Sequence, residues 1–240
     1  MRSTMAAGGV AAIGFGLAGL VATILQISQQ TLGFEDTDDP AVNLTFLADH
    51  LDNYLQQGLA FMVMALALTI VVFATWDILA GQRGSLGLRT VSTIGLAAAL
   101  CLFLFGVFRY SVRPLLYIDS LDTAWGEAAY LVQQVAGVHG VGQAGILTMC
   151  GWAVGVAILG ARSGALPRWL AILAVLPAFR ILSGLGPLLG PNGLPDEVWI
   201  LAILSIPGSF VWFIVLGAVF VRRGLGAARP TAPAPTIAAA

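Results

Sequence analysis

The chain contains no lysine; all 11 of its basic residues are arginine. Charge of any kind is scarce. Asp, Glu, Lys and Arg make up 10% of the residues, against about 25% in a soluble domain. Water is therefore not the main solvent of this chain. A net charge of −1 offers no basic surface for nucleic acid. The two cysteines, Cys101 and Cys150, lie within apolar runs and make neither a disulfide framework nor a Cys-x-x-Cys motif. The two histidines, His50 and His139, belong to no His-x3-His or His-Glu-x2-His pattern. No metal site and no catalytic set follows from them, and no motif asks for a cofactor.

What the chain does have is apolar length. Hydrophobic residues make up 58% of it. Six stretches reach the roughly 20 residues that a spanning helix needs: 7–27, 58–79, 90–108, 141–160, 169–189 and 199–221. Arg2 ahead of the first stretch resembles the start of a secretory signal, but the run is of spanning length and reads as a retained helix. In hydrocarbon, backbone N–H and C=O groups must be paired within the segment, so each stretch is helical. The expected fold is an all-α, polytopic membrane bundle of six transmembrane helices, one domain over residues 1–223. Residues 224–240, rich in Pro and Ala with no apolar period, read as a disordered cytoplasmic tail.

Arginines set the orientation. Arg2, Arg83, Arg89, Arg162, Arg168, Arg222, Arg223 and Arg229 fall on one side of the six-helix arrangement, and Arg109 and Arg113 on the other. This puts both termini in the cytoplasm, in a multi-pass protein of the cell membrane. All-arginine usage suits a GC-rich bacterial genome. Nearly all acidic residues lie on the arginine-poor outer side, with Asp77 the exception, near Arg83.

The two long outer segments carry amphipathic patterns. In 28–57 the apolar positions are Leu44, Leu47, Leu51 and Leu55. In 109–140 they are Leu121, Trp125, Ala128, Val132 and Val135, after Pro114, which closes the third span, and Asp122, a candidate N-cap. Each segment reads either as a helix lying at the interface or as an extension of the next span. A candidate internal repeat accompanies them. Tyr54-Leu-Gln-Gln57 and Tyr130-Leu-Val-Gln-Gln134 each precede a span and an Arg-x5-Arg inner loop, Arg83–Arg89 and Arg162–Arg168. Such a repeat would be of the parallel kind, though paired inner arginines also arise from topology alone.

Arg180 is the costliest polar residue in the sequence, inside the fifth span and roughly 18 Å along it from Arg168. Pro177 and Pro207 free the carbonyls of Leu173 and Ile203 in neighbouring helices. Two roles stay open for Arg180: the centre of an outward-facing polar cavity, with Gln143 as a partner, or a clamp onto Glu127, Asp196 or Glu197. His50, His139 and Glu127 complete the outer candidate ligand-binding set. Gly14-x-Gly-x-x-Gly19 fits a dinucleotide fingerprint in letters only, having no strand before it; it reads as a helix-packing surface. Gly151-x3-Gly155 is a similar device, for this bundle, another copy or a partner membrane protein. Trp76, Trp169 and Trp199 are interface anchors, and Trp152 and Trp212 packing residues.

Leu166-Pro167-Arg168-Trp169-Leu170, with Leu204-Ser205-Ile206-Pro207-Gly208, resembles an uncharacterised bacterial family of six-helix integral membrane proteins. The likeness is best over residues 160–223. It implies a fold and no activity; this chain lacks the Glu that the family carries near Pro207. The functional expectation is a non-catalytic accessory or sensor-type bundle. The alternatives are binding or transport of a small or lipid-like ligand around Arg180, and an intramembrane enzyme using the outer His and carboxylate residues.

Overall fold

A computed structural model describes residues 2–34, 39–79, 85–185 and 196–226. Glu35, Asp36, Asp38, Arg83, Arg229, residues 186–195 and the tail from 227 onward lie outside the described residues, as do the side chains of Asp196, Glu197 and Trp199. The first Arg-x5-Arg loop, the Asp77–Arg83 pairing and most of the expected disordered tail fall there. Residues 224–226 belong to the last helix.

The described residues are helical throughout, with no strand among them. The elements are α1 (Arg2–Thr31), α2 (Pro40–Asp49), α3 (Leu51–Ile78), α4 (Leu86–Tyr110), α5 (Val112–Leu121) and α6 (Thr123–Val132). A π-helical segment (Gln133–Gly142) follows, then α7 (Gln143–Ser163), α8 (Arg168–Leu173), α9 (Val175–Leu185) and α10 (Asp196–Gly226). Five stretches are long and apolar enough to cross a membrane: Ser3–Thr31, Leu51–Ile78, Leu86–Leu121, Thr123–Ser163 and Ile203–Leu225. Their outward faces are as apolar as their inward ones. Val10, Leu17, Leu66, Phe73, Leu100 and Ile203 are all exposed, which suits lipid and not water. This is a membrane protein.

Contacts between glycines and their neighbours fix the helix directions. Gly9 meets Gly217 and Val221, while Gly16 and Gly19 meet Phe210 and Ile214, so α1 and α10 run antiparallel. The Gly-x-Gly-x-x-Gly run is thus a packing surface at Gly16 and Gly19, and Gly14 faces open space. Gly58 of α3 and Gly106 of α4 lie against each other's backbones, within 2.9 Å of where a Cβ would sit. Gly155 of α7 receives Val91 of α4, so this glycine is used within the bundle, whereas Gly151 meets nothing within 4 Å. The central core is aromatic: Phe15, Trp152, Trp212 and Phe213 are fully or almost fully buried, with Trp152 stacked on Phe213 at 5.7 Å.

The fifth apolar stretch is broken. Ala174 separates α8 from α9, three residues ahead of Pro177, where a ring that lacks an N–H disrupts the helix. The Ala174 N–H turns back to the Ala171 carbonyl at 3.2 Å. The Leu170 carbonyl accepts instead from Trp212 Nε1, at 3.1 Å, across the buried interface with α10. At the turn before α8, Gly164 ends α7 with φ +69, a left-handed conformation that a side chain would strain.

Outside the bundle, α2, α5 and α6 pack on each other and on the start of α3. They bury Leu44, Leu47, Tyr54, Val112, Leu115 and Tyr130 in a second small core. Asp39 caps α2 through Ala41 N at 2.9 Å. Asp122 caps α6 through Ala124 N and Trp125 N, as its sequence position predicted. The third span ends at Tyr110, before Pro114, which sits in the first turn of α5, where its missing N–H costs nothing. The apolar stripe Leu121, Trp125, Ala128, Val132 and Val135 is real but faces outward; Trp125 is 70% exposed. The opposite face of α6, with Gly126 and Tyr130, is the buried one.

Candidate functional site

Three Gln-Gln doublets end up around one arginine. Gln29–Gln30 lies near the end of α1, Gln56–Gln57 one turn into α3, and Gln133–Gln134 opens the π-helical segment. In each doublet one residue is buried: Gln29, Gln57 and Gln133, at 2%, 1% and 6% exposure. The arginine is Arg109, in the last turn of α4 and only 8% exposed.

Gln57 joins three helices. Its Oε1 accepts from Arg109 Nη1 and from Gln29 Nε2 at 3.3 Å. Its Nε2 donates to the Ala22 carbonyl of α1 at 3.3 Å. Gln29 Nε2 also donates to Asn53 Oδ1 at 2.9 Å. Gln133 Nε2 donates to the carbonyl of Phe108, the neighbour of Arg109. Aromatic faces hold the guanidinium from two sides, Tyr54 at 5.1 Å and Phe105 at 5.2 Å. Such contacts stabilise a cation by about 0.5–2 kcal/mol each. Shared acceptors and ring faces keep a buried cation solvated without water.

Above this layer lies a cavity of about 260 Å³. Arg109 closes one side. Gln26, Gln29, Gln30, Gln134 and Gln143 supply amides, His139 an imidazole, and Phe34 and Tyr54 aromatic faces. Among the described residues no Asp or Glu lines it. The π-helical turn builds one wall. Hydrogen bonds spanning five residues widen the turn, so residues four and five apart share a side; Gln134, Val138, His139 and Gln143 all line the cavity. Gly137 lets this wide turn approach the Phe108 ring, with 2.7 Å from its would-be Cβ.

Arg180 lies elsewhere. It is half-buried on α9 and borders a separate space of about 40 Å³, beside Thr23, Ser209 and a mainly apolar lining. That is room for little more than a water molecule or two. Gln26 borders both spaces. Gln143 and His139 therefore line the Arg109 cavity, not the Arg180 space where the sequence set Gln143. Glu127, half-buried on α6, lines neither, and nor does His50. His50 stacks on Phe46 at 4.2 Å, and its Nδ1 is 3.1 Å from the Phe46 carbonyl. Among the described residues no three of His, Cys, Asp and Glu come together, and Cys101 and Cys150 are separate thiols. The sequence reading used Arg109 only for orientation and the doublets of Gln57 and Gln133 only as a candidate repeat, and passed over Gln29; the thrice-repeated doublet was the signal that could have joined them into a site.

No family model matches the chain, and neither a curated protein nor a solved structure matches it.

Proposed function

We propose that this protein is a non-catalytic, multi-pass bundle of the bacterial cell membrane that binds a small anionic solute in its outward-facing Arg109 cavity. The observation that carries the reading is the lining itself: among the described residues, one buried cation, five amides and an imidazole, with no carboxylate. Amide N–H groups and a guanidinium are the donors that a carboxylate or phosphate needs. A volume near 260 Å³ lies just below the roughly 300–1,000 Å³ range of ligand pockets, which favours solutes such as short mono- and dicarboxylates. The arrangement suits holding a ligand, and among the described lining residues no nucleophile stands beside a base; a sensing or accessory role fits that lining.

Six crossings with both termini cytoplasmic form part of the same proposal. The antiparallel contacts of α1 with α10 support it. In this reading α7 and α10 both end on the side where α1 begins, and α8 with α9 makes the return crossing between them. Contacts of Leu170 with Trp212 and of Leu176 with Gly208 follow that return. The arginine distribution assigns that side to the cytoplasm.

The test is equilibrium binding to purified protein in detergent or nanodiscs, using acetate, lactate, succinate and glutamate in parallel with their uncharged amides. Saturable binding of at least one acid, absent for its amide and lost in Gln143→Leu, is the expected result. Equal response to acids and amides would remove the anionic ligand from the proposal.

A further inference from the structure

The α3–α4 pair has a groove at each end, and both grooves have the same chemistry. At the end where α4 begins, a groove of about 440 Å³ runs between the helices. Arg89, Ser92 and Trp76 line it toward the helix ends, and Val72, Phe73 and Leu96 farther in. Leu96 is seven residues beyond Arg89, about 10 Å deeper. At the opposite end, where α5 joins the pair, a groove of about 360 Å³ is lined by Arg113 and Pro114 of α5, Ser111, Tyr110 and Leu55 at its mouth and by Val107 and Met62 inward. Arg89 and Arg113 are both exposed. Among the described residues neither guanidinium has a hydrogen-bond or ion-pair partner, unlike Arg109.

Along the helix axis each groove has its cation, hydroxyl groups and amphipathic ring nearer the end and a mainly apolar floor beyond. A phospholipid has the same order, with phosphate at the surface and an acyl chain beneath. Trp and Tyr rings sit at headgroup depth in membrane proteins, and an arginine fork matches phosphate oxygens. The first groove also opens beside the N-terminus of α4, a 25-residue helix whose dipole favours an anion there.

We infer that the α3–α4 face seats two anionic phospholipids, one in each leaflet, held by Arg89 at one end and by Arg113 at the other. The seats are separate from the Arg109 cavity, with which their lining residues share only the α3–α4 pair. Occupancy does not depend on what that cavity binds.

Native mass spectrometry of the purified protein, titrated with phosphatidylglycerol, phosphatidylcholine or free glycerol phosphate, tests this. Two bound phosphatidylglycerol molecules are expected at concentrations where phosphatidylcholine binds weakly. Arg89→Gln and Arg113→Gln should each weaken one of the two binding steps roughly fivefold, the effect of one interfacial arginine, and the double variant both. Leu96→Trp, which fills the apolar floor and leaves Arg89 intact, should remove the first seat as well. Equal binding of the two lipids, unchanged steps in the double variant, or competition by free glycerol phosphate without a chain would each overturn the inference.

Discussion

Arg109 and Arg180 differ in the opposite sense from what their sequence positions imply. Arg180 lies well inside an apolar stretch, where a charge is costly. Arg109 lies at a helix end, where a long side chain ordinarily reaches water. In the folded protein Arg109 is the buried one, held by Gln57 and two aromatic rings at the foot of a 260 Å³ cavity. Arg180 is half-buried beside a space of about 40 Å³. The difference comes from what covers each site. Gln57 and Tyr54 of α3 and Phe105 of α4 enclose the Arg109 guanidinium, so depth along a span and depth within the protein are separate quantities.

Substituting each arginine by leucine puts the comparison under the largest load. Arg109→Leu removes a charged hydrogen-bond donor worth about 1.5–3 kcal/mol, so anion binding should weaken more than about tenfold. Arg180→Leu should leave binding within about twofold, since Arg180 borders another space. Isothermal titration of both variants decides it. Equal losses would mean that the two spaces act as one site through Gln26.

Packing gives a second contrast. A Cβ added at Gly58 would sit 2.8 Å from Tyr110 N and 2.9 Å from Gly106 O, backbone atoms beside Arg109 that cannot step aside. Gly58→Ala should lower stability by about 2 kcal/mol. At Gly208, near Arg180, the neighbour is the flexible end of Leu176 at 3.2 Å. Gly208→Ala should change stability by less than about 0.5 kcal/mol. Thermal unfolding in one detergent measures both.

The break in the fifth stretch yields a smaller effect. Trp212→Phe keeps the ring but leaves the buried Leu170 carbonyl without its donor, a loss of about 1 kcal/mol. Unfolding should report it while anion binding at Arg109 stays unchanged. A parallel loss of binding would show that α8 and α10 also support the outer cavity.

These contrasts mark what could be read without coordinates. Apolar runs gave the helices because lipid leaves the backbone no other way to pair its polar groups. Asp122 marked the start of α6 because a cap acts within a few residues, whereas Pro177 was read inside a single stretch, 169–189, and the break at Ala174 went unread. Trp152 and Trp212 are buried where their depth implied. The Arg109 layer was harder to see. It is made by side chains from α1, α3, α4 and the π-helical segment, meeting across 52 residues of sequence in the case of Gln57 and Arg109. Hydropathy is blind to such convergence, and glutamines near span ends look like ordinary interfacial residues. The wide turn that brings Gln134, His139 and Gln143 together is equally hidden, since spacing was judged by the α-helical period. The stripe from Leu121 to Val135 was legible as a period, and it faces outward; which face of such a helix turns inward depends on the solvent, and the sequence left that open.

The finest contrast lies between the two histidines, both of which the sequence placed in one outer set. His139 lines the cavity; His50 is stacked on Phe46 and oriented toward the Phe46 carbonyl. His139→Ala removes one polar partner of a bound anion, about 0.5–1.5 kcal/mol, so the dissociation constant should rise by a few fold. His50→Ala lies outside the cavity and should change it by less than twofold, with a stability loss confined to about 0.5–1 kcal/mol from the lost ring contact. Measuring both variants against the same acid separates two readings of the outer face. A drop for His139 alone fits a binding cavity with one imidazole in its wall. Comparable drops for both would require the two rings to act on one ligand, which is what an outer His and carboxylate centre demands, and would favour chemistry over binding.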